Sequence, residues 1–466
     1  MHYGIIAIGS RGDVQPFVAL ALGLLDRGHR VTLMAHENFK AFVEGYGIEF
    51  HPLPGSVEEM LYSPKGRKVL RSGNMLVFMH FVNKEVSKNQ ARVNEALLAG
   101  AQKPEVFVTS VLGMIWIDAI AASSGKRYAT VQLSFPTTPT SEFPCVLLDF
   151  FNFPLYNRFT YRVFDFLYTK DNKKKLNAFR LSLGLPKAKG LLLKNTGAAK
   201  NPHIYAISPS FLPRPTDWIE RAQITGFIHL PPKRREQNPS DGGIPADLIR
   251  WLEAGEKPIY LGFGSIPVPD PARFIRVLHE LLAETTYRFI FCQGWSKIEG
   301  LGAHPRLFVL PAANHDWLFP RCRAVITHGG IGTVAAALRA KTPLIVASIF
   351  ADQPWWGKRV ERRGLGIHLP FKRWDKQKVV AAIRKTETAE IQHRVTEIGE
   401  RMSREDGLQQ TIAAVEHHFA TASTSEPAAG AGDREPGDRD REPTTENGHP
   451  QADSEREQPR THREGV

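Results

Sequence analysis

The chain has 466 residues, of which 42% are hydrophobic and 23% charged, and its formal net charge is +12. This length is enough for two or three domains with substantial cores. No segment combines a basic stripe with interleaved aromatic residues, so nucleic acid is not an expected partner, and no apolar run of about 18 residues predicts a membrane span. The positive charge favours an anionic small ligand or a loose attraction to an anionic membrane.

Cysteine usage and the first predicted strand indicate the compartment. The three cysteines, Cys145, Cys292 and Cys322, are scattered and have no metal-ligand spacing. This favours buried thiols in a reducing environment and no bound metal. A strand predicted at residues 3–8 begins too early to leave room for a signal peptide. We therefore expect a cytoplasmic protein, with any membrane contact being peripheral.

The first 36 residues predict one Rossmann-like half. A strand at 3–8, the turn Gly9-Ser10-Arg11-Gly12-Asp13, a helix with apolar residues at helical spacing and a strand at 30–35 follow one another. The turn is not a dinucleotide fingerprint, because the third glycine and the acidic residue after the second strand are missing. Asp13 has two compatible interpretations: a helix N-cap, or a general base whose pKa is raised by a dry cleft.

The most apolar part of the chain lies between Phe143 and Tyr168, where aromatic residues recur. Their density predicts a packed helical hairpin that covers the sheet. The alternative is an acceptor funnel for a flat, apolar ligand, lined by rings such as Phe143, Phe150 and Phe151. The lysine cluster at residues 170–175 would suit the surface of a membrane.

A segment rich in Pro, Lys, Arg and Gly at residues 231–243 predicts a linker, after which the pattern restarts. The strand Pro258–Phe263, the pair Gly264-Ser265 and a helix over 272–284 repeat the layout of the first unit. Ser265 is either a phosphate ligand or an ordinary turn serine. Farther along, Trp295 and Leu310 are candidate walls for a nucleotide base, and Trp295 is alternatively a core or lid residue.

The segment from Ala324 to Arg359 contains the strongest functional pattern. A strand leads into the turn His328–Thr333, which opens into a helix, so the unpaired amides and dipole of the helix N-terminus form an anion site. His328 adds a donor that can carry charge. After the next strand, Asp352 and Gln353 emerge at the edge where open parallel sheets bind ligands. Taken alone, the glycine-rich turn is weak evidence for a phosphate site, and Asp352 and Gln353 could be an ordinary pair of surface residues. Taken together at this spacing, they predict a nucleotide-sugar site.

This segment resembles the nucleotide-diphosphate box of the family 1 glycosyltransferases (the UDP-glycosyltransferases), especially the branch with sterol 3-beta-glucosyltransferases and natural-product glycosyltransferases. The runs GSRGDVQP, PTTPTSEFP and PSFLPRPTDW are also similar to that branch. Two residues depart from its usual pattern, Thr327 in place of a histidine and Val334 in place of a threonine. The resemblance covers residues 1–420 and implies an α/β protein with the GT-B fold, two facing Rossmann-like domains with a cleft between them.

The resemblance implies an inverting, metal-independent transfer without a cofactor. The donor would be UDP-glucose or a related UDP-sugar, because glutamine at position 353 goes with glucose in the family. The acceptor would be a hydroxyl of a sterol, triterpenoid, polyketide or phenol, with Asp13 as the base. The residues predicted to bind the donor are Ser10, Arg11, Gly12, Ser265, His328, Gly329, Gly330, Gly332, Thr333, Asp352 and Gln353.

The predicted domain organisation follows from the same resemblance. We expect an acceptor domain at 1–230, the linker at 231–243, a donor domain at 244–400, a helix at 401–420 that packs back on the first domain, and a disordered tail at 421–466 whose residues are mostly small and charged. Two alternatives remain. One is another GT-B enzyme, such as a nucleotide-sugar epimerase or a lipid-linked cell-wall glycosyltransferase. The other is a non-catalytic protein that binds nucleotide sugars or lipids.

Overall fold

Parallel strands joined by helices form two separate sheets. The computed structural model describes residues 1–195, 201–238, 241 and 243–421, and the predicted tail beyond residue 421 lies outside that part. Within these ranges one sheet has seven strands and the other has six, with every neighbouring pair parallel. The predicted α/β architecture with two such units is therefore confirmed.

The strand order places a crevice in each sheet. The strands of the first sheet are β1 (His2–Ala7), β2 (Arg30–His36), β3 (Glu49–Leu53), β4 (Val106–Thr109), β5 (Arg127–Gln132), β6 (His203–Tyr205) and β7 (Ala222–Ile224). Their order is β3-β2-β1-β4-β5-β6-β7. The order reverses direction between β1 and β4, and open parallel sheets bind ligands at the carboxyl ends of strands beside such a reversal. The turn after β1 and the first residues of α1, which include Asp13, are therefore well placed for function.

The second sheet repeats this arrangement. Its strands are β8 (Ile259–Gly262), β9 (Phe289–Cys292), β10 (Leu307–Leu310), β11 (Ala324–Thr327), β12 (Leu344–Val346) and β13 (Gly366–His368). The order is β10-β9-β8-β11-β12-β13, so the reversal lies between β8 and β11. The loops after these two strands hold Ser265 and His328.

Helices connect the strands. They are α1 (Arg11–Asp26), α2 (Lys40–Glu44), α3 (Val57–Tyr62), α4 (Pro64–Ser72), α5 (Met75–Lys88), α6 (Gln90–Gly100), α7 (Met114–Ser124), α8 (Pro154–Ser182), α9 (Leu192–Asn195), α10 (Pro232–Glu236), α11 (Ala246–Glu253), α12 (Pro271–Glu284), α13 (His315–Leu318), α14 (Ile331–Arg339), α15 (Gln353–Arg362), α16 (Lys376–Thr386), α17 (Ala389–Ser403) and α18 (Gly407–Thr421). No helix in the described ranges is both long and apolar enough to cross a bilayer.

The last helix belongs to the core of the first sheet. Leu408, Ile412, Val415 and Phe419 of α18 are buried in one cluster with β1 and α1. A Cβ on Gly23 of α1 would overlap the Ile412 side chain, so glycine there allows the two helices to approach closely. The end of the described chain thus returns to the sheet in which the chain began.

The predicted helical hairpin between Phe143 and Tyr168 is wrong. Residues 143–153 are irregular apart from a 3-10 turn at Val146–Leu148, and a single helix of 29 residues, α8, follows. Pro154 stands in the first turn of that helix, where its missing amide costs nothing. No glycine or further proline interrupts α8, so its sequence lacks the turn residues that a hairpin needs.

Candidate active site

The turn between β11 and α14 requires its first two glycines. Gly329 has a φ of +92°, and a Cβ there would lie 2.5 Å from a methyl carbon of Val346. A Cβ on Gly330, the N-cap of α14, would lie 2.6 Å from Nε2 of His328. Around Gly332, in contrast, no atom lies within 4 Å of the position a Cβ would take. The first two glycines therefore serve the fold, whereas Gly332 borders open space.

The amides at the start of α14 form an anion site. Those of Thr333 and Val334 already donate to the carbonyl of Gly330, at 3.0 and 3.1 Å. The amides of Ile331 and Gly332 precede these first bonds of the helix, so they are the donors that the helix N-terminus offers to a ligand. The amide of Thr333, which the sequence included among the donor-binding groups, is occupied within the helix.

His328 lies between the two glycine turns of the second sheet. Its ring is buried, with Nε2 next to Gly330 and Cε1 next to Gly264 of the turn after β8. Burial lowers the pKa of His328 to about 4, so the imidazole is neutral at neutral pH. The sequence suggested a donor that can carry charge; burial instead favours the neutral ring, which still has one N–H to donate.

Three other predicted residues lie on neighbouring loops. Ser265 follows Gly264, whose carbonyl accepts a hydrogen bond from the amide of Trp295 at 3.0 Å. Trp295 packs with Leu61, Leu70 and Phe350 in a cluster that joins the two halves, which matches the core or lid interpretation. The side chain of Leu310 is buried in the core of the second half. Leu310 is therefore not an exposed wall for a base.

Asp352 and Gln353 stand at the start of α15. The Oδ2 atom of Asp352 accepts a hydrogen bond from Nε1 of Trp356 at 2.9 Å. The Oε1 atom of Gln353 accepts from the amides of Ile349 and Phe350 at 2.9 and 3.1 Å. Gln353 therefore uses its carbonyl oxygen to shape the loop, and its NH2 group is the part that remains for a sugar hydroxyl.

Asp13 occupies the third position of α1, and Ser10 is the N-cap. Oδ2 of Asp13 accepts hydrogen bonds from the amide of Ser10 at 2.7 Å and from its hydroxyl at 3.1 Å. Burial raises the pKa of Asp13, although these two hydrogen bonds act to lower it. Gly9 has a φ of +137°, and a Cβ there would overlap the Asp13 carboxylate. The prediction that Asp13 is the N-cap is therefore wrong, because Ser10 is the cap and Asp13 stands half-buried in the first turn of the helix.

The two carboxyl groups face one another across the cleft. Burial raises the pKa of Asp352 to about 6, and the negative charge of Asp13 raises it as well. Helices α3–α5 of the first half reach over the loops of the second: the rings of Phe78 and Phe350 are 4.3 Å apart, and Lys297 pairs with Glu58 at 3.0 Å. The structure therefore brings Asp13 close enough to act on Asp352, whose neighbour Gln353 borders Gly329 of the glycine turn.

Arg11 makes its contacts with Asp241 and Phe42. Its guanidinium pairs with Asp241 and lies 4.5 Å from the centre of the Phe42 ring. Asp241 also accepts a hydrogen bond from Tyr46 at 2.7 Å and lies 3.8 Å from Arg235. Arg11 thus ties the start of α1 to the predicted linker, and its charge also lowers the pKa of His315 in the second half. No local sequence signal joins residues this far apart.

The predicted acceptor rings do not form one funnel. Phe143 is buried and packs edge-to-face on Trp355 of α15, with the Arg359 guanidinium stacked over both rings. Phe150 and Phe151 lie on the outer surface, 73% and 63% exposed. Phe143 therefore joins the two halves, and the other two rings are not enclosed.

The second tryptophan of α15 also joins the two halves. Trp356 is fully buried and stacks on Phe211 of the first half, with ring centres 5.6 Å apart. Its ring nitrogen holds Asp352, so the donor-side carboxylate is attached to the contact between the halves. The sequence contained a signal for this bond, because Asp352 and Trp356 are four residues apart and Pro354 is typical of a helix start.

Other features lie outside the cleft. A surface depression of about 670 Å³ at the opposite edge of the second sheet is lined by ion-paired residues such as Glu256, Arg323 and Glu387. Cys145, Cys292 and Cys322 are free and buried. In the described part of the chain, no three His, Cys, Asp or Glu side chains are grouped as metal ligands would be.

Comparison with known proteins agrees with this geometry. The family model described as glycosyltransferase family 28 N-terminal domain matches residues 3–124, and that of the erythromycin biosynthesis protein CIII-like C-terminal domain matches residues 310–421. The chain is 34% identical over 436 residues to sterol 3-beta-glucosyltransferase UGT80A2 of Arabidopsis thaliana, and 30% identical over 437 residues to UGT80B1 of the same plant. These alignments cover 91% and 90% of this chain but about two thirds of the relatives, 66% and 68%.

Solved structures share the architecture. The glycotransferase of kitacinnamycin superposes with a TM-score of 0.63 at 18% identity, covering 90% of this chain and 98% of that one. The Streptomyces sp. SF2575 glycosyltransferase SsfS6, solved with thymidine diphosphate, superposes with a TM-score of 0.58 at 17% identity, covering 90% and 99%. At these identities the likeness concerns the fold.

Proposed function

This chain belongs to the UDP-glycosyltransferase family that includes the sterol 3-beta-glucosyltransferases and has the GT-B fold, and on this premise we propose that it transfers a hexose, glucose being expected, from a UDP-sugar to a hydroxyl of an apolar small molecule. The acceptor classes that fit are sterols, triterpenoids, polyketides and phenols. The observation that carries the proposal is that Asp13 of the first half raises the pKa of Asp352 of the second, beside Gln353, which borders Gly329 of the glycine turn.

Asp13 is the proposed general base. Its Oδ2 is held by Ser10 at 2.7 Å, which orients the carboxylate. Its raised pKa brings it nearer the operating pH, where a base is most effective. Asp13 takes the proton of the acceptor hydroxyl as the oxygen forms a bond to the anomeric carbon. Attack from the face opposite the leaving group turns an α-linked donor into a β-glycoside.

The second half is proposed to hold the donor. When the bond between the anomeric carbon and the diphosphate breaks, UDP leaves with the electron pair. The amides of Ile331 and Gly332, the dipole of α14 and the N–H of His328 stabilise the growing negative charge. Asp352 accepts hydrogen bonds from sugar hydroxyls, and the NH2 group of Gln353 donates one. A structural neighbour solved with thymidine diphosphate supports a nucleoside diphosphate as the leaving part of the donor.

We also keep the proposed domain boundaries: acceptor domain at 1–230, linker at 231–243 and donor domain at 244–400. The linker is not extended chain, since α10 lies within it and the side chain of Asn238 donates to the carbonyl of Phe42 at 3.0 Å. Membrane contact is proposed to be peripheral, because an apolar acceptor dissolves in the bilayer.

The test is product analysis. The chain is incubated with UDP-glucose and a panel of hydrophobic alcohols that includes a sterol, and products are identified by mass spectrometry and the anomeric configuration by NMR. We expect a β-glucoside and free UDP in equal amounts. An α-glucoside would contradict inversion. Conversion of the donor to another UDP-sugar without an acceptor would indicate the epimerase alternative, and binding without turnover across the panel would indicate a non-catalytic protein.

A further inference from the structure

An apolar face remains exposed on the outer side of the first half. Along α8, Leu155, Phe159 and Phe166 are 82%, 55% and 58% exposed. Their spacing of four and seven residues places them on one side of the helix. Phe150, Phe151 and Phe153 lie next to the start of the same helix and are also exposed. We call these six residues the aromatic face. Single exposed apolar residues are ordinary, but a contiguous group of this kind indicates an interaction surface.

The aromatic face is held in place from beneath. The ring of Tyr156 lies 5.5 Å from that of Phe151 and 5.3 Å from that of Phe153, and its hydroxyl donates to the carbonyl of Leu148 at 2.9 Å. The side-chain amide of Asn157 donates to the carbonyl of Ser141 and to Asn152 Oδ1, both at 2.8 Å. The segment before α8 is therefore anchored, and its exposed rings are presented on a defined backbone.

The charges beside the aromatic face are positive. Arg158, Arg162, Lys170 and Lys174 of α8 are exposed, and Arg162, Lys170 and Lys174 continue the same side of the helix as Leu155, Phe159 and Phe166. Of the two acidic side chains within this stretch, Asp165 is buried and accepts hydrogen bonds from Thr169 and the amide of Leu193, whereas Asp171 is half-buried and is outnumbered by the four exposed basic residues. A surface that combines exposed apolar rings with a basic helix side is complementary to an anionic bilayer.

We propose that the aromatic face and the basic side of α8 dock the protein onto the surface of an anionic lipid membrane, with the rings inserted at the level of the headgroups. The helix lies on the bilayer and does not cross it. The inference rests on the proposed function in one respect: docking would bring the cleft to a membrane that dissolves an apolar acceptor. The docking itself is measured without turnover, so either claim can fail alone.

The experiment is co-sedimentation of the full chain with vesicles of phosphatidylcholine alone and of phosphatidylcholine mixed with phosphatidylglycerol. We expect sedimentation with the mixed vesicles, weakened by added salt. The variant L155S/F159S/F166S should lower the partition coefficient about tenfold or more, since it removes the inserting side chains. The variant R162E/K170E should lower it about tenfold or more on mixed vesicles, because it reverses two charges near the surface.

Matched controls change exposed residues elsewhere. I219S/I249S removes exposed apolar side chains, and R276E/K385E reverses two exposed charges on the second half; both should sediment as the unmodified chain does. Circular dichroism and thermal unfolding check that every variant is folded. The proposal is overturned if the unmodified chain stays in solution with mixed vesicles, or if the α8 variants bind as it does. It is also overturned if the chain is a dimer that L155S/F159S/F166S converts to a monomer, because the face would then join two copies.

Discussion

The carboxylate of Asp13, at the start of α1, raises the pKa of Asp352, at the start of α15, so two acids separated by 339 positions in the chain share one electrostatic environment. Burial is the larger cause, and it raises the pKa of both groups. No basic side chain offsets the effect of burial on the pKa of either carboxyl group. The cleft therefore holds two acids at a cost in folding stability, which is typical of a site arranged for ligands and not for the fold alone.

Asp352→Asn should stabilise the protein at neutral pH. The pKa of this carboxyl group rises from 3.8, the ordinary value for an aspartate in water, to about 6 in the folded chain. The folded state therefore binds the extra proton, and stability falls as the pH rises from about 4 to about 6. The shift corresponds to roughly 3 kcal/mol at most. In thermal unfolding, the difference in unfolding temperature between the variant and the unmodified chain should grow in the variant's favour as the pH is raised. The kcat/KM of the variant for the UDP-sugar should fall.

Asp217→Asn is the control, because its expected effect on stability at neutral pH is opposite to that of Asp352→Asn. Burial alone would raise the pKa of Asp217, but hydrogen bonds from Thr140, Ser141 and Arg158 outweigh it and lower the pKa. Its stabilisation is therefore present at neutral pH and lost in acid. D217N should destabilise at neutral pH, by a margin that shrinks in acid. If both substitutions changed the free energy of unfolding at neutral pH in the same direction, the account of Asp352 would be wrong.

Gly332→Ala should fold normally and bind UDP poorly. Open space surrounds the position, and alanine is more favourable than glycine within a helix. The added methyl group would occupy the space through which a diphosphate approaches the amides of α14. We expect UDP affinity to fall about tenfold or more, a loss of about 1.4 kcal/mol, as measured by calorimetry, with an unchanged or higher unfolding temperature. Normal UDP affinity would place the diphosphate elsewhere.

Trp356→Phe should alter the pH dependence of donor use. The Trp356 N–H bond lowers the pKa of Asp352, so removing it raises that pKa further. The acid limb of kcat/KM for the UDP-sugar should therefore move to higher pH. Trp355→Phe is the matched control, because that ring is equally buried but its nitrogen donates to the carbonyl of Pro144 at 3.3 Å. Equal pH profiles in the two variants would show that Trp356 acts only through packing.

Arg11→Met should affect stability more than donor binding. Asp241 is almost fully buried and pairs with Arg11, and breaking one partner of a buried pair costs about 3 kcal/mol or more, less here because Tyr46 and Arg235 remain. We expect a lower unfolding temperature and a UDP affinity within about a factor of two of the unmodified chain. A loss of UDP affinity without a loss of stability would restore Arg11 to the donor site.

The fold was predictable wherever the signal is local. The strands predicted at 3–8, 30–35 and 258–263 correspond to β1, β2 and β8 with bounds that differ by about one residue, and the glycine turn lies where its spacing placed it. Buried parallel strands and helix starts are encoded in consecutive residues. β3 and β7 were missed, since short strands such as the three-residue β7 carry little pattern. The pairing of Arg11 with Asp241 depends on residues 230 positions apart, and burial decides the neutral state of His328. Neither is visible before the chain is folded.

The account depends most on Asp13 as the base that faces the donor. Transfer from UDP-glucose by Asp13→Asn is the direct measurement, together with the affinity of the same variant for UDP by calorimetry. Loss of a general base should lower the transfer rate about 10²- to 10⁴-fold, and UDP affinity should be retained because the proposed diphosphate site is at the start of α14 in the other half. Transfer at the rate of the unmodified chain would contradict the account.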